Sequence, residues 1–150
     1  PFAQQQTEDD ECLSGSKIRE QVAHFFMSMS GSKIREQVAH FLVDIHKGNT
    51  GLEFTFSFQI AGRKREILIN TFNVINKSNL TSFLFDWGDI KEGRERVSQK
   101  SVSGLAIIND QKKPIDSKYL DAIRNKGADY ILYSERNKKE NIEKLNANAA

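Results

Sequence analysis

Residues 54–60 read FTFSFQI, a stretch in which apolar residues alternate strictly with polar ones. Alternation with a period of two is typical of a β-strand that has one buried face and one face exposed to solvent. The sequence AGRKR at 61–65 predicts a turn, and residues 66–75 return with the β-branched composition of a second strand. We therefore predict an antiparallel β-hairpin over these residues.

A group of apolar residues downstream of the hairpin has the spacing of one helix face. It predicts a short helix that begins after Ser78 or Asn79 and ends at Gly88 or Gly93. The charged residues 89–100 then predict an exposed connection. The apolar residues of this short helix are Leu80, Phe83, Leu84 and Trp87.

The C-terminal half has a strand–helix–strand pattern. Residues 102–109 are a short apolar run typical of a buried strand, residues 116–126 predict a helix, and residues 130–134 predict another strand. Such a βαβ unit pairs its two strands in parallel. Together with the hairpin, it predicts an α+β fold in which helices pack on a mixed sheet. Residues 135–150 predict a polar C-terminal helix.

An internal repeat precedes the hairpin. The residues SGSKIREQVAHF occur at 14–25 and again, letter for letter, at 30–41. Each copy has apolar residues at helical spacing after a serine that can cap a helix, so both copies are predicted to be helical. The second helix is predicted to continue to Lys47 and to stop at a left-handed Gly48. Solenoid repeats are diverged and occur at least three times, so this duplication indicates a recent or engineered event.

The repeat divides the chain into a disordered leader (1–13), an extra duplicated helix (14–29) and a single α+β domain (30–150). Two helices of one sequence compete for one groove, and the surplus copy exposes large apolar side chains worth about 1.5–3 kcal/mol each when buried. We therefore expect a homo-oligomer or a helix-swapped dimer. The residues predicted to mediate self-association are Ile18, Val22, Phe25 and Phe26.

Composition and charge narrow the classes of protein. The apolar fraction of 38% and charged fraction of 28% are those of a globular protein, and a net charge of +2 is too small to establish nucleic-acid binding. A single cysteine, Cys12, excludes an internal disulfide and fits a reducing compartment. No apolar run has the about 18–20 residues that span a bilayer, so we predict a cytoplasmic protein without a membrane partner.

The order helix, three strands, helix and strand, over about residues 32–134, resembles the core of the restriction-endonuclease-like nucleases. In that family an acidic residue on the second strand and an acid-x-lysine on the third hold divalent metal beside the scissile phosphate. The positions that match are Glu66, Asp110 and Lys112. The resemblance implies that these residues are catalytic and that a divalent metal is the cofactor. The competing interpretation of residues 109–114 is an ordinary solvated turn.

Basic residues at the tip of the predicted hairpin, Arg63, Lys64 and Arg65, are candidates for nucleic-acid binding because several cations on one face can contact phosphates. The same residues would also keep the edge of a sheet soluble. Apart from the nuclease resemblance, no metal site or cofactor is predicted, since the chain has neither a cysteine pair nor a His-Glu-x-x-His motif.

Three functions fit the sequence. The preferred one is a non-enzymatic binding or assembly domain that self-associates through its N-terminal helices, with an unknown natural partner. The first alternative is a nucleic-acid-binding protein or a metal-dependent nuclease. The second alternative is an engineered or folding-study variant that carries a tandem helix duplication. The sequence leaves open whether the protein is an enzyme.

Overall fold

The computed structural model describes residues 14–28 and 45–147. Four of the elements in these ranges are α-helices, six are strands, and a 3-10 helix lies at Tyr133–Glu135. The helices are α1 (Ser14–Ser28), α2 (Lys77–Ser98), α3 (Ser117–Asn125) and α4 (Lys139–Lys144). The strands are β1 (Ile45–Lys47), β2 (Glu53–Thr55), β3 (Phe58–Ala61), β4 (Arg65–Phe72), β5 (Ser101–Ile108) and β6 (Asp129–Leu132).

The main sheet has four strands in the order β3-β4-β5-β6. The pair β3 and β4 is antiparallel, whereas β4, β5 and β6 are parallel to one another. A small antiparallel sheet of β1 and β2 is separate. The structure therefore confirms the predicted α+β fold with a mixed sheet. It also adds a second parallel crossover, through α2, that the sequence analysis did not predict.

Helices cover both faces of the main sheet. One core cluster contains the apolar residues of α1, one face of the strands, and Leu145 and Ala147 from the C-terminal segment. The other cluster contains the opposite face of the strands with residues of α2 and α3. In the described ranges, none of the helices combines the length and hydropathy needed to cross a bilayer.

The predicted first strand is divided into two. Its first part, β2, pairs with β1, and its second part, β3, forms the predicted hairpin with β4. The chain turns at residues 56–57, so the apolar side chains before and after the turn enter different core clusters. Phe54 and Phe56 pack in the cluster of α2, whereas Phe58 and Ile60 pack in the cluster of α1. The alternation of apolar and polar residues predicted the extended backbone correctly. It did not reveal that the apolar side chains change from one face of the main sheet to the other.

Helix α2 is much longer than predicted. It has 22 residues, begins after an Asn76 cap and passes through both Gly88 and Gly93. The predictions of a glycine stop and of an exposed connection over 89–100 are therefore wrong. Each internal glycine destabilises a helix by only about 1 kcal/mol relative to alanine. Burial of Ile90 in the core offsets part of this destabilisation.

The second copy of the repeat and the leader 1–13 lie outside the described residues, so the predicted domain boundaries stay predictions. The predicted end of the second helix is wrong, because Ile45–Lys47 is strand β1. The left-handed glycine of the turn that follows is Gly51, with φ of 87°, and not Gly48.

The C-terminal βαβ unit agrees with the prediction. Asp116 caps α3 by accepting a hydrogen bond from the Lys118 N–H at 3.0 Å, and Gly127 follows the helix with φ of 80°. The last predicted helix is shorter than expected, since α4 covers only Lys139–Lys144.

Gly104 on β5 is required by the packing of α2. A Cβ atom at this position would lie 2.7 Å from Cδ2 of the buried Trp87 ring. We expect Gly104→Val to lower the free energy of unfolding by about 1–3 kcal/mol because the ring has no room to move. Urea unfolding followed by the fluorescence of Trp87 measures this, and an unchanged midpoint would contradict it.

Gly88→Ala is the matched control on α2. An added Cβ at Gly88 meets no atom within 4 Å. The substitution should therefore leave stability unchanged or raise it by up to about 1 kcal/mol, through the higher helix propensity of alanine. A loss of stability equal to that of Gly104→Val would mean that the ring contact is not the cause.

Candidate functional site

One face of the main sheet forms an apolar groove, and α1 fills it. Three side chains spaced one helical turn apart enter the groove: Ile18, Val22 and Phe26 are 2%, 0% and 1% exposed. The spacing i, i+4, i+8 places them on one helix stripe. The residues of the sheet and its extension that line the groove are Phe58, Ile60, Ile67, Ile69, Leu105, Ile107, Ile131 and Tyr133.

Aromatic contacts fix the position of α1 in this groove. The Phe26 ring meets the Phe58 ring edge to face, with centroids 5.2 Å apart. Phe25 is only partly buried at the rim, where the Arg136 guanidinium lies 5.9 Å from its ring centroid. The same guanidinium lies 4.1 Å from the centroid of the Tyr133 ring. Arg136 therefore closes the groove at the end occupied by the two phenylalanines.

This geometry corrects one expectation from the sequence. The copy with Ile18, Val22, Phe25 and Phe26 was expected to be left uncovered, but Ile18, Val22 and Phe26 lie in the core of their own chain. Residues 14–25 and 30–41 are identical, so the repeat itself gave no means of deciding which copy the sheet would bind. That these four residues mediate contacts between chains stays a prediction.

The two copies differ where the repeat ends. Phe26 follows the first copy, whereas Leu42 occupies the matching position after the second copy. Only the first copy can therefore supply an aromatic ring to Phe58 at this position. Aromatic pairs contribute about 0.5–1.5 kcal/mol beyond the area they bury, so the groove favours the first copy by a small margin.

Glu66, the first candidate catalytic residue, is a buried partner in an ion pair. Its carboxylate is 2% exposed and accepts hydrogen bonds from Arg94 Nε at 3.0 and 3.1 Å. The side chain of Gln59 donates to it as well. The carboxylate thus fastens the last turns of α2 to the sheet.

The other two candidates lie at the opposite end of the strands. Glu66 pairs in register with Val102, eight residues before Asp110, which corresponds to roughly 25 Å at about 3.3 Å per residue. Asp110 accepts hydrogen bonds from the backbone and hydroxyl of Ser134, and Lys112 is exposed in the turn. The structure therefore does not assemble the three residues that the nuclease resemblance implied. The described residues also contain no cluster of three or more His, Cys, Asp or Glu side chains that could hold a metal ion.

The basic hairpin tip gains one cation that the sequence did not suggest. Arg63 and Lys64 are exposed in the turn, and Arg65 donates a hydrogen bond of 2.9 Å to the carbonyl of Lys144. The Ser101 N–H donates to the Lys64 carbonyl at 3.2 Å, which places Lys100 beside the tip. These residues are far apart in sequence, so only strand pairing could reveal this group of cations.

Comparison with known proteins gives a family. A protein-family model described as "Domain of unknown function DUF1829" matches residues 48–136, more than half of the chain. No curated protein and no solved structure matches the chain. The match includes the main sheet with α2 and α3, whereas both copies of the repeat lie outside it.

We expect Glu66→Gln to destabilise the fold because it leaves the Arg94 guanidinium beside a neutral amide. The expected loss is about 1–3 kcal/mol in the free energy of unfolding, since Arg94 is partly exposed and water compensates some of its charge. Thermal or urea unfolding measures this loss.

Glu135→Gln is the control, because Glu135 forms a surface ion pair with Lys138 at 3.0 Å. We expect no measurable change for this variant. Equal effects of the two substitutions would refute a special role for the buried pair.

Proposed function

Because the chain belongs to the DUF1829 family, a domain of unknown function, we propose a function from its repeat and its fold. We propose that it is a non-enzymatic binding and assembly domain that self-associates through the repeated helical sequence. Its partner is a second copy of the same chain.

The observation that carries this proposal is that each face of the main sheet is already covered. Helix α1 and the C-terminal segment cover one face, and α2 and α3 cover the other. Within residues 14–28 and 45–147, neither face therefore offers a second groove for an apolar helix stripe. The second copy nevertheless carries the same stripe in its sequence, with Ile34, Val38 and Phe41 followed by Leu42.

A second chain provides the matching surface for this stripe. Four large apolar side chains are worth about 6–12 kcal/mol per chain when fully buried. Association costs an estimated 4–15 kcal/mol or more, so the balance favours a dimer of modest affinity. An isologous dimer uses the same stripe on both chains, so no other complementary surface is required.

The two copies are close to interchangeable in the groove. They share the residues that correspond to Ile18, Val22 and Phe25 and differ only slightly at the position of Phe26. If the first copy is prevented from binding, the second copy can take its place with the loss of one aromatic contact. The repeat thus allows exchange between copies, both within a chain and between chains.

The test compares identical substitutions in the two copies. We expect the wild-type chain to form dimers at about 1–100 µM by light scattering coupled to size-exclusion chromatography. Val38→Glu should produce a folded monomer, because a charge in the stripe prevents pairing. A wild-type monomer over the whole range, or an unchanged Val38→Glu dimer, would overturn the proposal.

Val22→Glu serves as the matched comparison for exchange. Val22 is fully buried, so a glutamate would cost more than about 3 kcal/mol if α1 had to stay in the groove. We expect a much smaller loss in the single variant, because the second copy replaces the first, and a severe loss in Val22→Glu combined with Val38→Glu. Equal losses in the single and double variants would show that the copies do not exchange.

The basic hairpin tip supports a second candidate function, binding of nucleic acid. The supporting observation is that pairing of β4 with β5 brings Lys100 beside Lys64. Cations gathered on one edge can contact successive phosphates, and each contact adds about 0.9 to the salt dependence of binding to duplex DNA.

A plot of log affinity against log salt concentration has a negative slope. We expect Lys64→Gln with Lys100→Gln to make this slope shallower by about 1–2. Lys113→Gln with Lys118→Gln removes the same charge from two exposed positions near the opposite end of the strands and should leave the slope nearly unchanged. Fluorescence anisotropy with a labelled duplex measures both. Equal slopes for wild type and the Lys64 and Lys100 variant would reject this candidate.

A further inference from the structure

A small cavity lies between α1 and the place where β3 begins. Strand β3 pairs with β4 only from Phe58 onward, opposite Ile69. The chain before Phe58 turns away at residues 56–57, so among residues 14–28 and 45–147 no strand pairs with this side of β4 beyond Ile69. The space between this edge and α1 is a cavity of about 290 Å3.

Polar groups line the cavity. The Ser57 N–H donates a hydrogen bond of 3.0 Å to Oδ1 of Asn70, which fixes the orientation of that amide. The Asn70 amide nitrogen is left without a hydrogen-bond partner among the described residues. The hydroxyl groups of Thr55 and Thr71 also line the cavity, and that of Thr71 lies 3.4 Å from the Ser57 hydroxyl. Each of these groups can donate a hydrogen bond.

The cation of the cavity is Arg19 of α1. Its side chain is half-buried and lines the cavity, and it makes no ion pair with any residue in the described part of the chain. None of the described residues that line the cavity is acidic. A partly desolvated guanidinium surrounded by hydroxyl and amide donors gives a positive potential that a bound anion would neutralise.

A second cavity of the described structure, on the other side of β4 and lined in part by β5, contains charges of both signs. It has a volume of about 470 Å3 and contains acidic as well as basic residues. There Lys144 Nζ lies 3.2 Å from the Asp129 carboxylate, and Glu140 and Glu143 lie nearby. Because those charges compensate one another, that cavity has no preference for an anion.

We propose that the cavity at Arg19 binds a phosphate-type oxyanion. Its volume is near the lower end of ligand pockets, which are about 300–1,000 Å3, and so suits a small ligand. The guanidinium offers a planar pair of donors to two oxygens, and the Asn70 amide and Thr71 hydroxyl can bind further oxygens. A tetrahedral anion with four oxygens uses more of these donors than a planar carboxylate does.

Anion binding would stabilise α1 in its groove. If the anion binds only when Arg19 faces the sheet, it stabilises the packing of α1 on the sheet. This stabilisation grows with the logarithm of the anion concentration. Arg35 is the corresponding residue of the second copy in the sequence, so the test below removes both arginines. The inference needs only a copy of the repeat packed on the sheet, and it holds whether or not chains associate.

The experiment follows 31P NMR of inorganic phosphate added to the full chain at constant ionic strength. We expect saturable line broadening, which sulfate removes by competition and acetate does not. Arg19→Gln with Arg35→Gln removes the guanidinium from both copies and should weaken phosphate binding about tenfold or more. Lys113→Gln with Lys118→Gln, at two exposed positions, is the charge-matched control and should bind phosphate as the wild type does.

Thr71→Val keeps the test decisive if the arginine variant fails to fold, because it removes one hydroxyl without changing the side-chain shape. We expect it to weaken phosphate binding by several-fold with a normal unfolding midpoint. Absence of saturable broadening in the wild type, equal competition by acetate, or unchanged binding by a folded Thr71→Val would each overturn the proposal. Loss of dimers in Val38→Glu with phosphate binding retained would separate this site from self-association.

Discussion

Apolar residues on both faces of the main sheet impose the constraint on which the structure depends. Ile67 and Ile69 on β4 point to one face and Leu68 to the other, and all three are fully buried. Each face therefore needs a helical cover, because exposing such side chains costs about 1.5–3 kcal/mol each. Helix α1 supplies one cover, and its docking creates both the occupied groove and the small polar cavity at its edge.

The opposite face is covered by a helix that is held at several points. Trp87 packs against β5 at Gly104, where no side chain larger than hydrogen fits, and Arg94 pairs with the buried Glu66. These contacts explain why α2 continues through two internal glycines. They also show Glu66 as a buried ion-pair partner, while the catalytic role that the resemblance to nucleases implied stays a prediction.

Strand pairing decides which of the candidate site residues lie close together in the structure. Sequence spacing identified the hairpin tip, but the parallel pairing of β4 with β5 added Lys100 to it and separated Glu66 from Asp110. Arg19 was not recognised as a site residue, because a single arginine on a helix has no distinctive pattern. The hydroxyl and amide groups that line the same cavity come from residues 55–57 and 70–71, which are distant from Arg19 in the sequence.

Local pattern determined the α+β fold class, the hairpin and the C-terminal βαβ unit, since the period of hydrophobicity and the turn residues act over short distances. The repeat, too, was evident in the sequence alone. Only the tertiary structure decided which copy fills the groove, where α2 ends and which charges meet. Residues 14–25 and 30–41 have the same sequence and therefore the same local preferences. The choice between them depends on contacts such as that of Phe26 with Phe58, which exist only after the sheet has formed.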